Sequence, residues 1–156
     1  MKGDAKVIKR LNEVLTNELT AIDQYFVHAK MFDHWGFGRL GGHERKASID
    51  EMKHAESLID RILFLEGVPN VQKLNKIMIG ENVEEQLKLD LDVEHVAVKR
   101  LNDGIVTCRS IPDGGSEELL VHILESEEEH VDWLETQLDL ISRLGVQAYL
   151  SEQLKE

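Results

Sequence analysis

Glu51-Met52-Lys53-His54 is the stretch on which the reading of this chain turns. A helix rotates by about 100° per residue, so side chains three apart lie on one face. Glu51 and His54 share such a face, and Met52 points elsewhere. A carboxylate stacked beside an imidazole is a two-armed clamp for a metal ion. The chain repeats the clamp at Glu127-Glu128-Glu129-His130. Each copy is led by a glutamate on a separate helical stretch, Glu18 before the first and Glu94 before the second. The same 33 residues separate Glu18 from Glu51 and Glu94 from Glu127, and all three ligand types recur after 76 residues. A single Glu-x-x-His on an acidic helix is a weak motif, but the doubled constellation is far more specific.

The rest of the chain supplies the scaffold such a constellation needs. At 156 residues it is long enough for one domain, 1–156, with a sizeable core. Charged residues make up 31% and there are only two prolines, Pro69 and Pro112, which favours helices. Asp4 can cap a first helix, and apolar residues from Val7 through Leu11, Val14, Leu15, Ile22 and Ala29 hold a 3.6 period up to Trp35-Gly36. Gly38, Gly41 and Gly42 read as a loop. A second helix is expected from about His43 to Glu66, stopped by Gly67 and Pro69. Residues 68–82 form a long, apolar connection of the kind that crosses the outside of a bundle. A third helix runs from about Asn82 to Arg109. Ser116 caps a fourth that ends at Leu144-Gly145, and a short fifth spans Val146 to about Leu154. Two long helices, a crossover and two more make an all-α, antiparallel four-helix bundle with a short C-terminal helix.

Bundling brings six ligands together: Glu18, Glu51, His54, Glu94, Glu127 and His130. Four carboxylates and two imidazoles suit iron or manganese and tolerate zinc. So much like charge cannot stay in a core uncompensated, whereas two divalent cations balance four carboxylates. Tyr25 lies two turns past Glu18 and points toward the same place, either to give up an electron or simply to bond a carboxylate. Trp133, one turn past His130, is an electron source or a core residue. His28, His34, His43, His95 and His122 stand singly and read as surface or packing residues. Glu66, Asp132 and Asp139 read as solvated helix faces or as the lining of acidic pores.

A net charge of −12 argues against nucleic-acid and anionic-membrane partners. The lone Cys108 excludes an internal disulfide, and no apolar run spans a bilayer. The start of the chain has no apolar run after its basic residues, so the expected location is the cytoplasm.

The sequence resembles the bacterioferritins over nearly its whole length. The resemblance is carried by Met1-Lys2-Gly3-Asp4, Asn17 to Ile22, Gln24-Tyr25-Phe26, Ser48 to Ala55, Arg61 to Gly67, Glu127 to His130 and Trp133 to Gln137. It implies a hollow homo-oligomer of twenty-four subunits that oxidises ferrous iron with dioxygen or peroxide at a di-iron centre and stores the ferric mineral. It also implies haem b at two-fold dimer interfaces, with Met52 as axial ligand and a ferredoxin as electron donor for iron release. From spacing alone, Met52 is an interface methionine. Three positions depart from the family pattern: Lys46 stands in place of a frequent histidine that helps bind iron on the inner surface, Ala47 in place of a glutamate near the centre, and Arg45 in place of a frequent tyrosine near the haem. A di-iron oxidase or peroxidase that stores nothing, and a haem-binding electron-transfer subunit, are the competing readings.

Overall fold

A computed structural model of the chain describes residues 1–154. Helix α1 spans Ala5–His34, α2 Gly38–Phe64, α3 Val83–Ser110, α4 Gly114–Leu144 and the short α5 Val146–Ser151. The contacts pair α1 with α2, α3 with α4, and α1 with α3 across the middle. Gln24 faces Asp90, and Arg10 faces Thr107, so α1 and α3 are antiparallel. His54 faces Glu127 and Arg61 faces Ser116, so α2 and α4 are antiparallel as well.

Apolar side chains concentrate at the two ends of the bundle. One cluster contains Val7, Leu11, Leu15, Leu58, Ile62, Leu101, Ile105 and Leu120. The other contains Phe32, Leu40, Val83, Leu87, Leu134, Ile141 and Tyr149, the last being how α5 docks. Each fully buried Leu or Ile contributes about 1.5–3 kcal/mol, so the ends hold the bundle shut. Between them lies a layer of buried polar side chains that includes Glu18, Gln24, His28, Glu44, Glu51, Asp90, Glu94 and Glu127.

The crossover is tied down by polar side chains spaced four or eight apart along α1. Asn12 accepts from the Asn70 backbone at 2.8 Å, Thr20 from Asn75 at 2.9 Å, Gln24 from Met78 at 3.1 Å and His28 from Gly80 at 3.1 Å. One stripe of α1 thus satisfies a segment that has no ladder of its own. The crossover therefore runs alongside α1, in the same direction.

Two sequence expectations need correction. Gly38, Gly41 and Gly42 lie inside α2 and not in a loop, because the missing Cβ at Gly41 lets α2 approach α1 closely. A Cβ there would sit 1.9 Å from Asp33 Oδ1 and 3.3 Å from the Ala29 carbonyl. Helix α4 is capped by Asp113 and not by Ser116. The Asp113 carboxylate accepts from the Ser116 amide at 3.0 Å, from its hydroxyl at 2.8 Å and from Arg61 at 2.8 Å. After α2 the left-handed residue is Glu66, at φ 62°. At the first turn, Gly36 does take the left-handed conformation, at φ 89°.

Gly80 marks where the crossover meets α3. A Cβ there would fall 2.7 Å from the Gln86 backbone nitrogen, an atom that cannot swing aside. Gly80→Ala is expected to lower stability by about 1–3 kcal/mol, measured as a drop in the denaturant midpoint with the helical signal of the folded state retained.

Candidate metal centre

Each long helix contributes to one buried layer. Glu18 comes from α1, Glu51 and His54 from α2, Glu94 from α3, and Glu127 and His130 from α4. The i,i+3 spacing within α2 and within α4 stacks each glutamate on its histidine. Glu18 is 1% exposed and Glu94 0%.

The six side chains form two overlapping groups. Ligand atoms of Glu18, Glu51, His54 and Glu127 lie within 4.8 Å of one another, and so do those of Glu51, Glu94 and His130. Glu51 belongs to both. Glu127, in the first group, also acts on Glu94 in the second, whose pKa it raises. His54 Nδ1 lies 3.1 Å from Glu127, 3.2 Å from Glu51 and 3.4 Å from Glu18. One ring N–H cannot serve three carboxylates. His130 Nδ1 lies 3.0 Å from Glu94 Oε1. Glu18 Oε1, Glu94 Oε2 and His130 Nε2 are buried without a hydrogen-bond partner among the described residues. Buried polar atoms left without partners are rare in folded proteins, and this set has the chemistry of a ligand shell for one or two hard cations.

The electrostatics agree with that reading. Burial raises the pKa of Glu18, and His54 only partly offsets it. Burial and the neighbouring Glu127 push Glu94 well above the usual carboxylate range. Burial and Glu18 raise Glu127. Burial disfavours a charged His54, but hydrogen bonds to Glu127 and Glu18 outweigh it and bring the ring to about 10. In the metal-free layer, protons occupy the places that cations would take.

Tyr25 is fully buried, and its hydroxyl donates to Glu94. Burial and then Glu94 hold that hydroxyl well above the ordinary tyrosine range, so it stays protonated. Trp133 is half-buried and stacks on His43 at 3.6 Å with the rings 7° apart. Burial and the nearby His130 lower His43 to about 4, so it stacks as a neutral ring. A cleft of ≈ 240 Å³ between Lys46, Asp50, Glu129 and Trp133 reaches Glu51 and His130, and a second one reaches His54. The small Ala47 lines the first. Lys46 is paired with Asp50 at 2.9 Å, and its charged ammonium has no lone pair to offer a cation.

Met52 lies outside this layer. It is 47% exposed on the outer face of α2, with exposed Ile49 one turn before it. Glu66, Asp132 and Asp139 are exposed, and so are His34, His95 and His122. His28 is not: with Glu44 and Asp90 it forms a second buried cluster that the motif reading missed. The signal was present, since Asp90 precedes Glu94 by four and His28 follows Tyr25 by three, which puts both one turn along the faces that carry the centre.

An all-helical bundle with these ligands inside defines a ferritin-like domain, and a sequence model of the ferritin-like domain matches residues 8–144. The chain is 50% identical over 152 residues to the bacterioferritin of Mycobacterium bovis, covering 97% of this chain and 96% of that protein. It is 49% identical over 156 residues to the bacterioferritin of Streptomyces coelicolor, covering 100% and 93%, and 44% identical over 149 residues to that of Brucella melitensis, covering 96% and 92%. The chain belongs to the bacterioferritin family. Membership supports iron storage of the ferritin kind. No helix among the described residues is long and apolar enough to cross a membrane.

The raised carboxylates and the raised His54 have the same sign in linkage. Both make the folded metal-free chain hold more protons than the unfolded one, so stability falls as pH rises. For the carboxylates the loss begins above 4.5, and for His54 it runs from 6.5 to about 10. The thermal midpoint of the metal-free protein is expected to fall between pH 5 and pH 9, and saturating Zn²⁺ is expected to flatten that slope because the cation replaces the protons.

Proposed function

We propose that the whole chain, 1–156, is one ferroxidase and iron-storage subunit. Its substrate is ferrous iron, bound as a pair among Glu18, Glu51, His54, Glu94, Glu127 and His130. What carries this reading is the buried set of ligand atoms without partners, split into two groups that share Glu51. Glu51 and Glu127 bridge, and Glu18 and Glu94 each cap one ion. The imidazoles of His54 and His130 supply one nitrogen each.

The roles follow from charge. Two ferrous ions bring four positive charges to four carboxylates, and loading displaces the protons that His54 and Glu94 hold. Oxidation by dioxygen or peroxide adds further positive charge, which oxygen ligands tolerate. Tyr25, donating to Glu94, keeps that carboxylate oriented and is close enough to supply an electron. Trp133, stacked on His43, is a second electron source. The clefts beside Asp50 and Glu129 admit iron past carboxylates of opposite charge. With Lys46 committed to Asp50, iron leaves the centre without the inner-surface relay that a histidine at that position would provide.

Storage requires a closed shell, which we take to be twenty-four subunits built from two-fold dimers in the cytoplasm. Met52, exposed on α2, would meet its counterpart across such a dimer and hold haem b between two thioethers. When bound, the haem supplies an electron path inward from a donor such as a ferredoxin, for reducing and releasing stored iron. No partner role for nucleic acid or membrane enters this account.

Glu18→Ala and Glu94→Ala are each expected to lower the initial rate of ferrous oxidation by about 100-fold or more. Met52→Leu is expected to abolish haem absorbance while leaving that rate unchanged. Near-normal oxidation in both glutamate variants would remove the catalytic assignment. Light scattering that finds only a few subunits per particle would favour an oxidase that stores nothing.

A further inference from the structure

One helical turn from the six ligands sits a second buried cluster with no role in the account so far. Glu44, His28 and Asp90 are each 0% exposed. His28 Nε2 accepts from the Gly80 backbone at 3.1 Å, and an N–H can only donate. His28 is therefore the neutral tautomer with its hydrogen on Nδ1, which donates to Asp90 Oδ1 at 2.8 Å. Gln24 donates to the same oxygen at 2.9 Å. Asp90 is thus the acceptor of two hydrogen bonds, and its Oδ2 has no partner among the described residues. Neither does either carboxylate oxygen of Glu44, although the three groups lie within 4.8 Å of one another. Two buried carboxylates that face each other without a donor repel, and a single proton between them turns the repulsion into a short, strong hydrogen bond. Since Asp90 already accepts twice, the proton sits on Glu44. A cation is a poorer occupant, because both nitrogens of His28 are already engaged.

We propose that Glu44 and Asp90 share a proton which cation loading of the neighbouring centre expels, so that this pair is a proton store coupled to metal binding. The proposal rests on the metal-centre reading above. The groups around the pair are Tyr25 and His28 from α1, Glu94 from α3, His130 from α4 and Tyr149 from α5, with Arg39 further along α2 itself. Metal-free, the centre is neutralised by protons, and nothing there opposes a neutral Glu44. Two divalent cations bring more positive charge than the protons they displace, which favours an ionised Glu44. The Glu44 O–H bond then breaks, the proton passes to buffer and a carboxylate remains. Burial and then Asp90 both favour the protonated form of Glu44, in keeping with the unpartnered oxygens. Glu44 acts through the centre's charge and not by touching iron, so it is a positioning residue.

The test is a calorimetric titration of the assembled, metal-free protein with Zn²⁺ alone, in two buffers of different ionisation enthalpy, which counts ions bound and protons released. Glu44→Gln keeps the hydrogen bond, since its amide donates to Asp90, but has no proton to lose. Wild type and Glu44→Gln are expected to bind the same number of zinc ions, with the variant releasing about one proton fewer per subunit. Asp90→Asn is the second variant: its amide donates to an ionised Glu44, and the proton count falls by the same amount. The thermal midpoint of metal-free Glu44→Gln is expected to gain on wild type as pH rises from 5 to 8. Equal proton counts, or parallel pH profiles, would overturn the proposal while leaving the metal centre intact. An extra zinc ion in wild type that either variant loses would replace the proton store with a cation site. Zinc that fails to bind at all, or binds unchanged in Glu18→Ala, would overturn the metal-centre reading and this one with it.

Discussion

Four carboxylates in the middle of a helical bundle are the constraint that the rest of this structure accommodates. Left ionised and alone, they would drive the helices apart or draw water in. Two things prevent that. The apolar clusters at either end, around Leu11, Leu58 and Leu101 and around Phe32, Leu87 and Leu134, clamp the rods on both sides of the polar layer. Inside the layer, protons offset the negative charge, with His54 lying against three carboxylates and burial favouring a protonated Glu94. The same geometry that makes the metal-free layer a proton trap makes it a cation site, because a cation is a stronger version of what already neutralises it.

The crossover shows how the polar layer reaches beyond the ligands. Asn12, Thr20, Gln24 and His28 form a stripe on α1 that satisfies the backbone of the crossover, while Gln24 and His28 also turn inward to Asp90. The segment joining the two halves of the bundle is therefore wired to the buried acids.

Much of this was legible in the residues. The 3.6 periodicity of each long helix and the length of the 68–82 connection define the bundle, and the doubled Glu-x-x-His with its leading glutamates brings six side chains into one layer. These patterns are local or strictly periodic, and helix geometry transmits them unchanged. What was not legible depends on contacts between helices. Gly41 looks like a loop residue until α1 is seen pressed against it, and Asp113 outcompetes Ser116 as a cap partly because Arg61 arrives from α2. His28, read as one more scattered histidine, is defined by Gly80 and Asp90, which lie 52 and 62 residues away. Glu44 carries no motif at all, and only its burial beside another acid marks it.

The most direct test is an anomalous-scattering map of the crystalline protein soaked anaerobically with ferrous iron. Two peaks about 3.5–4 Å apart are expected, one beside His54 and one beside His130, with Glu51 and Glu127 between them. Iron found only on exposed acids such as Asp50 or Glu129, with no density inside the layer, would contradict it.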